Sequence, residues 1–305
     1  MISDILSPIL IFCWIILGIL SFLALLGNGF ITAVIGHQWL QKGKIAPCDF
    51  LLSALSTSRF LVQLISVLGY PVYFNISWSD VYYYTLQVMN FTWSFFAIVN
   101  LWSATWLSIF YCVKVTNFPN RLFFWLKTRI NVLAPRLLAM SVAVSTIVSL
   151  PSFLSHFENR KWCNLTEIHP VNNCPKSIDF FSPLLLAFTV INFSLNVLAS
   201  LLLLTSLWRH TRNLRKNGAA LKDLSTHVHI KVMKFLLFYL FLYILYFTGM
   251  VLGTANIFEF GTPGRLVTEI LLSVFSSAHS TILILTHPKL KKTLLFYQHH
   301  GYKEH

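Results

Sequence analysis

Charge is scarce in this chain. Only 11% of its 305 residues are Asp, Glu, Lys or Arg, and the acids number 10. Water-soluble domains carry about 25% charged residues, so this composition excludes an ordinary soluble domain. Cysteine is scarce too. The five (Cys13, Cys48, Cys112, Cys163 and Cys174) show no metal-binding spacing. Of the 11 His, none forms a HExxH pair; His227 and His229 are expected in a loop beside a helix start, solvated and not metal-bound. There is no Gly-rich phosphate loop, and Ser, His and acid do not fall at triad spacing. The chain is therefore not expected to be an enzyme, and no cofactor is implied. Internal repeats are also missing, which weighs against a transporter built from repeated halves.

What remains is apolar: 56% of the residues are hydrophobic and the mean hydropathy is +0.67. Seven apolar runs stand out, at 9–35, 50–74, 82–113, 134–156, 181–208, 230–257 and 266–286. Each is near or above the ~20 residues a helix needs to cross a bilayer. The first is too long for a signal-peptide core and has no basic segment before it. The expected fold is an all-α bundle of seven transmembrane helices forming a single unit, with 287–305 as a short tail. The formal charge of +13 does not point to nucleic acid, because the basic residues sit in the gaps between apolar runs. Eighteen of the 23 fall after runs one, three, five and seven, counting Arg136, Lys231 and Lys234 at the very start of runs four and six; four fall on the other side, and Arg59 lies well inside run two. By the positive-inside rule the N-terminus is outside and the tail cytoplasmic. The acceptor patterns Asn75-Ile76-Ser77 and Asn164-Leu165-Thr166 then lie outside, in loops open to glycosylation, with Asn164 in the longer one, about 157–180. Cys163 and Cys174 share that loop. An oxidising exterior permits a bridge between them, but the sequence does not set their separation.

The third run organises the chain. Residues 82–113 carry no charged side chain and 11 aromatics, yet include Asn90, Ser94, Asn100, Ser103, Thr105 and Ser108. Polar groups at membrane depth usually face protein or a cavity, so this is expected to be the central helix. Arg59 is the strongest anomaly: an unpaired guanidinium in a bilayer costs a few kcal/mol. Asn28, between Gly27 and Gly29, is its nearest polar candidate by depth, and the glycines allow close approach. A clamp between helices is favoured for Arg59 over ligand contact. Trp93, with Asn90 and Ala97 one turn either side, fits a pocket wall or a lipid-facing belt, and the sequence leaves both open. Glu269 fits an amine-bearing ligand or a local pair with Arg265. His279, ten residues on, reads as a packing or switch residue.

Five stretches then carry a resemblance: LLGNGFI with Asn28; PCDFLLSALSTSRFLVQL with Arg59; LWSATWLSIFYCVKVTNF; LLLLTSLWRHTRNLRKNG followed by HIKVMK; and HSTILILTHPKLKKTL. Together these resemble the vertebrate bitter taste receptors, the type 2 taste receptor family of G-protein-coupled receptors. The resemblance implies a pocket opening outside that takes small bitter agonists, and a heterotrimeric G protein of the gustducin type as partner. It implies pocket positions at Trp93 and Glu269, an aromatic switch position of helix six at Tyr246, which joins the ligand-binding candidates, an internal polar pair in Arg59 and Asn28, and the helix-seven histidine in His279. Tyr111 and Lys114 belong to the family motif at the base of helix three; His210, Lys231 and Lys234 are further G-protein-facing candidates. Three positions depart from the family pattern. Ala97 stands where Asn is frequent, Ser276 where a proline is usual, and His287 where Asn is common. A vomeronasal type 1-like receptor shares the topology but fits the motifs of helices three and seven less well. A channel or transporter would need a polar path through the bilayer, and Arg59 is essentially the one intramembrane charge.

Overall fold

Among the described residues, proline opens four of the eight helices. It suits a first helical position, where no N–H is needed for the helix ladder. A computed structural model describes residues 8–74, 80–116, 121–165, 182–216, 222–255, 257–258 and 262–301, and all regular structure among them is helical. The helices are α1 (Pro8–Lys42), α2 (Pro47–Phe74), α3 (Asp80–Val115), α4 (Arg121–Leu165), α5 (Ser182–Lys216), α6 (Lys222–Thr254), α7 (Pro263–Thr286) and α8 (Pro288–Gly301). The first seven are long and apolar enough to cross a membrane. Each apolar run of the sequence coincides with one of them, and most helices run further.

The breaks have local causes. Gly43, at φ 63°, ends α1 in the left-handed region, its N–H on the Trp39 carbonyl at 2.9 Å. Thr262 caps α7 by accepting from the Arg265 N–H at 3.4 Å, ahead of Pro263. At the other end of α7, His287 turns extended and Pro288 starts α8.

Three sequence expectations shift here. The loop expected from about 157 begins no earlier than 166, because α4 continues to Leu165; Asn164 therefore lies in its last turn. Residues 287–305 are not simply a tail, since 288–301 form α8, anchored by the buried Leu290. His227 and His229 lie within α6, which begins at Lys222, and not in a loop. Asn75 and Cys174 fall outside the described residues.

Helix α3 runs through the centre. Of its membrane-spanning window 67% is buried, against 22–39% for the other six. It packs on α2, α4 and α5, while α1 closes the ring by packing on α2 and α7. Small residues set the closest approaches. A Cβ on Gly27 would sit 2.5 Å from Ser280 Oγ, so α1 meets α7 there only because Gly27 has no side chain. Gly249 also lets α6 lie close to α7, where a Cβ would stand 3.2 Å from side-chain atoms of Leu271 and Leu272. The hydroxyls of α7 mostly bond to their own helix: Thr268 to Gly264 O, Ser277 to Ser273 O, Ser280 and Thr281 to Ser277 O, and Thr286 to Ile282 O, at 2.7–3.0 Å.

Candidate functional site

Arg59 sits in the middle of the bundle, 2% exposed. Its Nε donates to Asn100 Oδ1 of α3 at 2.9 Å, and its Nη1 lies 2.5 Å from His279 Nδ1 of α7. A guanidinium can only donate, so Nδ1 must accept and the neutral imidazole carries its proton on Nε2. Its Cζ lies 4.5 Å from the centre of the Phe275 ring, a cation–π contact strengthened by the absence of water. Two ion pairs occur among the described residues, Arg265–Glu269 and Lys289–Asp49, and neither involves Arg59. The buried cation is held by an amide, an imidazole and a ring face.

Asn28 is not its partner. The Asn28 amide donates to Ala24 O at 2.9 Å and to Ser276 Oγ at 3.2 Å, tying α1 to α7. Depth alone placed the two residues together; the helical faces they occupy separate them. Ser276 supplies the acceptor.

Asn100 carries the network onward, donating to Tyr246 Oη of α6 at 2.8 Å. A second network flanks it. Asn192 Oδ1 of α5 accepts from Thr105 at 3.1 Å and from Tyr243 at 3.0 Å, while Asn196 and Tyr239 bond each other at 3.0–3.2 Å. Sequence reading did not single out Asn100, Asn192, Asn196, Tyr239, Tyr243 or Phe275 as site residues. For the three asparagines the signal was the rarity of amides inside apolar helices; the three aromatics carried none. Aromatic rings bind these networks together: Phe275 lies 4.9 Å from Tyr246 and 5.6 Å from His279 between ring centres.

Beside the Arg59 network, Ala97, Leu101, Tyr246 and Phe275 form one buried cluster, with Trp93, a turn further from the basic end of α3 than Ala97, packed against it. Trp93 Nε1 donates to Ser66 Oγ of α2 at 3.0 Å, so the ring faces protein on at least one side. Ala97 is 1% exposed and Tyr246 5%, whereas Asn90 is exposed. Glu269 is buried and paired with Arg265 at 3.0 Å, one turn away. Nearby, Trp14 of α1 stands edge-on to Tyr70 of α2, ring centres 5.2 Å apart.

At the basic end, Tyr111 Oη accepts from Cys48 Sγ at 3.3 Å, linking α3 to the start of α2. Lys114 is exposed and lies 5.8 Å from the Phe110 ring centre. Lys289 of α8 pairs with Asp49 of α2 at 2.6 Å. His287 sits beside them. Burial pushes its imidazole below the usual value of 6.5; Asp49 acts against that shift and Lys289 adds to it. His210 and His229 face each other between α5 and α6, and Lys231 and Lys234 are exposed on α6.

Comparison with known proteins settles what this bundle is. The family described as Taste receptor protein (TAS2R) matches residues 5–300. The chain belongs to the taste receptor (TAS2R) family. Among its relatives, it is similar to taste receptor type 2 member 41 of Rattus norvegicus, 33% identical over 94% of this chain and 95% of that one. It is also similar to taste receptor type 2 member 60 of Homo sapiens, 33% identical over 92% of this chain and 90% of that one. Taste receptor type 2 member 134 of Rattus norvegicus is 30% identical, over 93% and 84%. The chain is thus a G-protein-coupled bitter taste receptor, a multi-pass protein of the plasma membrane, and not an enzyme.

Proposed function

We propose that this receptor binds small, mostly apolar or amphipathic bitter compounds in the half of the bundle away from its basic end, and that its basic end is cytoplasmic and engages a gustducin-type G protein. The agonist would meet Asn90, Trp93, Ala97, Tyr246 and Glu269. Tyr246 carries the reading: its ring belongs to the cluster that Trp93 packs on, and its hydroxyl bonds Asn100, the partner of Arg59. Ligand pressure on that ring therefore reaches the buried cation through two hydrogen bonds. Asn28, Arg59 and His279 act as the switch, since they tie α1, α2 and α3 to α7. An agonist shifts the balance only by binding one packing better than the other.

Tyr111, Lys114, His210, Lys231 and Lys234 would face the G protein, and the basic loops also favour an anionic leaflet. Glycosylation at Asn164, and at Asn75, belongs to the opposite side. The experiment is a bitter-compound panel read as calcium signals through a gustducin-like chimera in cells with confirmed surface expression. Responses to one or more compounds are expected, and silence across a broad panel would refute the proposal.

A further inference from the structure

Arg59, Gln63, Ser66 and Tyr70 of α2 recur at spacings of four, three and four, which places them on one face of a helix. Three of the four reach neighbouring helices and fix that face inward. Arg59 bonds Asn100 of α3 and His279 of α7, Gln63 donates to Ser21 of α1 at 2.7 Å, and Tyr70 stands against Trp14 of α1. The direction of Ser66 is thus set by its neighbours on the stripe. Its Oγ accepts from Trp93 Nε1 of α3 at 3.0 Å. Val62, four residues before Ser66, packs like Trp93 against the cluster of Ala97, Tyr246 and Phe275, so α2 meets the surroundings of the indole at two successive turns.

The bond selects one orientation of the ring. Turning the indole over about Cβ–Cγ would carry Nε1 away from α2 and leave its N–H without this acceptor, and Ala97, one turn along α3, has no side-chain acceptor to offer in its place. One neutral hydrogen bond biases such a choice roughly threefold to tenfold. That is too little to hold a bundle together and enough to set a rotamer. The bond also occupies the one polar group of the side chain, because an indole donates once and accepts nothing. Trp93 is half-buried, and what it leaves open is ring face and carbon edge.

We propose that Ser66 is a positioning residue of the agonist site. By holding the N–H of Trp93 it fixes which indole surface an agonist meets and keeps that surface apolar, which favours hydrocarbon-rich or ring-bearing compounds there. This role rests on the reading of Trp93 as a wall of the agonist site.

The test joins two readouts on the full receptor. With 5-fluorotryptophan in place of its nine Trp, the fluorine resonance of Trp93 is the one lost in Trp93→Phe. In lipid nanodiscs without agonist, Ser66→Ala should shift that resonance, and Ser66→Thr, which keeps the hydroxyl, should return it. In calcium assays at matched surface expression, compounds that activate the wild type should lose about threefold to tenfold in potency on Ser66→Ala and recover on Ser66→Thr. Trp93→Phe removes the N–H, so in that background Ser66→Ala should change potency no further; a residue that only supports the fold would add its loss in both backgrounds. Ser66→Cys, a weaker acceptor of similar size, repeats the comparison should alanine impair folding. An unmoved resonance, wild-type potency in Ser66→Ala, or an equal loss with and without Trp93→Phe would overturn the positioning role, and if Trp93→Ala still lowers potency the pocket reading survives it. Unchanged potency in Trp93→Ala would overturn both.

Discussion

Replacing Arg59 with methionine, which keeps an unbranched stem but no charge, probes the centre of the bundle most directly. Two buried acceptors, Asn100 Oδ1 and His279 Nδ1, lose their donor, at a cost of ~1–3 kcal/mol each. The contact with Phe275, worth ~2 kcal/mol when desolvated, is lost as well. Against this, a guanidinium at mid-membrane carries an insertion cost of ~2.5–3.5 kcal/mol, which methionine avoids. The balance is a loss of about 1–5 kcal/mol, centred near 3. At ~2–4 °C per kcal/mol the melting temperature should fall by roughly 6–12 °C. Cys112, a free thiol 4% exposed, provides the assay: a thiol-reactive dye reports its exposure as purified receptor is heated. Adding Asn100→Leu and His279→Leu should recover part of the loss, because apolar groups replacing a whole buried polar set are tolerated better than half of it. Arg59→Met melting at or above wild type would refute the reasoning, and so would a triple variant less stable than the single one.

Three further outcomes follow from the same geometry. Trp93→Ala should cut the response to active bitter compounds at least tenfold in potency with near-normal surface expression; collapse of expression would instead make its bond to Ser66 a packing contact. Gly27→Ala should lower thermal stability by about 1–3 kcal/mol, as overpacking does, because its Cβ meets Ser280 Oγ at 2.5 Å and Ser280 Cβ at 3.1 Å; a wild-type melting curve would contradict the close α1–α7 approach. His287 has its folded pKa below the unfolded 6.5, so the folded state takes up its proton less readily. Its contribution is neutral above pH 6.5 and becomes a penalty as pH falls. The protection factors of α8 amides, with exchange referred to the intrinsic rate at each pH, should therefore fall between pH 7.5 and 5.5 in the wild type and less so in His287→Asn, and an equal fall in both would refute it.

The helices were legible because hydrocarbon thickness imposes a long apolar run on each crossing. The central place of α3 was legible as well, since its amides and hydroxyls have no place on a lipid-facing surface. The partner of Arg59 was not. Residue counting gives depth in the membrane, and Asn28 and Arg59 do lie deep, but contact also depends on which face each helix turns inward. That rotation comes from packing, such as Gly27 against Ser280 and Gly249 against α7. Helix α8 and the far ends of α4 and α6 were missed for another reason. They are too polar for an apolar run to mark them, and their helical character rests on local propensity and on anchors such as Leu290.

The hydroxyls of α7 have a mechanical consequence. Most of the serines and threonines named on that helix bond to carbonyls three or four residues back, so they bring their acceptors with them wherever the helix goes. Turning α7 against α1 would strand none of those donors. Among the described residues its hydrogen bonds to other helices in the middle of the bundle are those of the Asn28 amide to Ser276 and of the Arg59 guanidinium to His279. Helix α7 is thus a rotor with two catches, and the free energy of turning it is concentrated where those catches release.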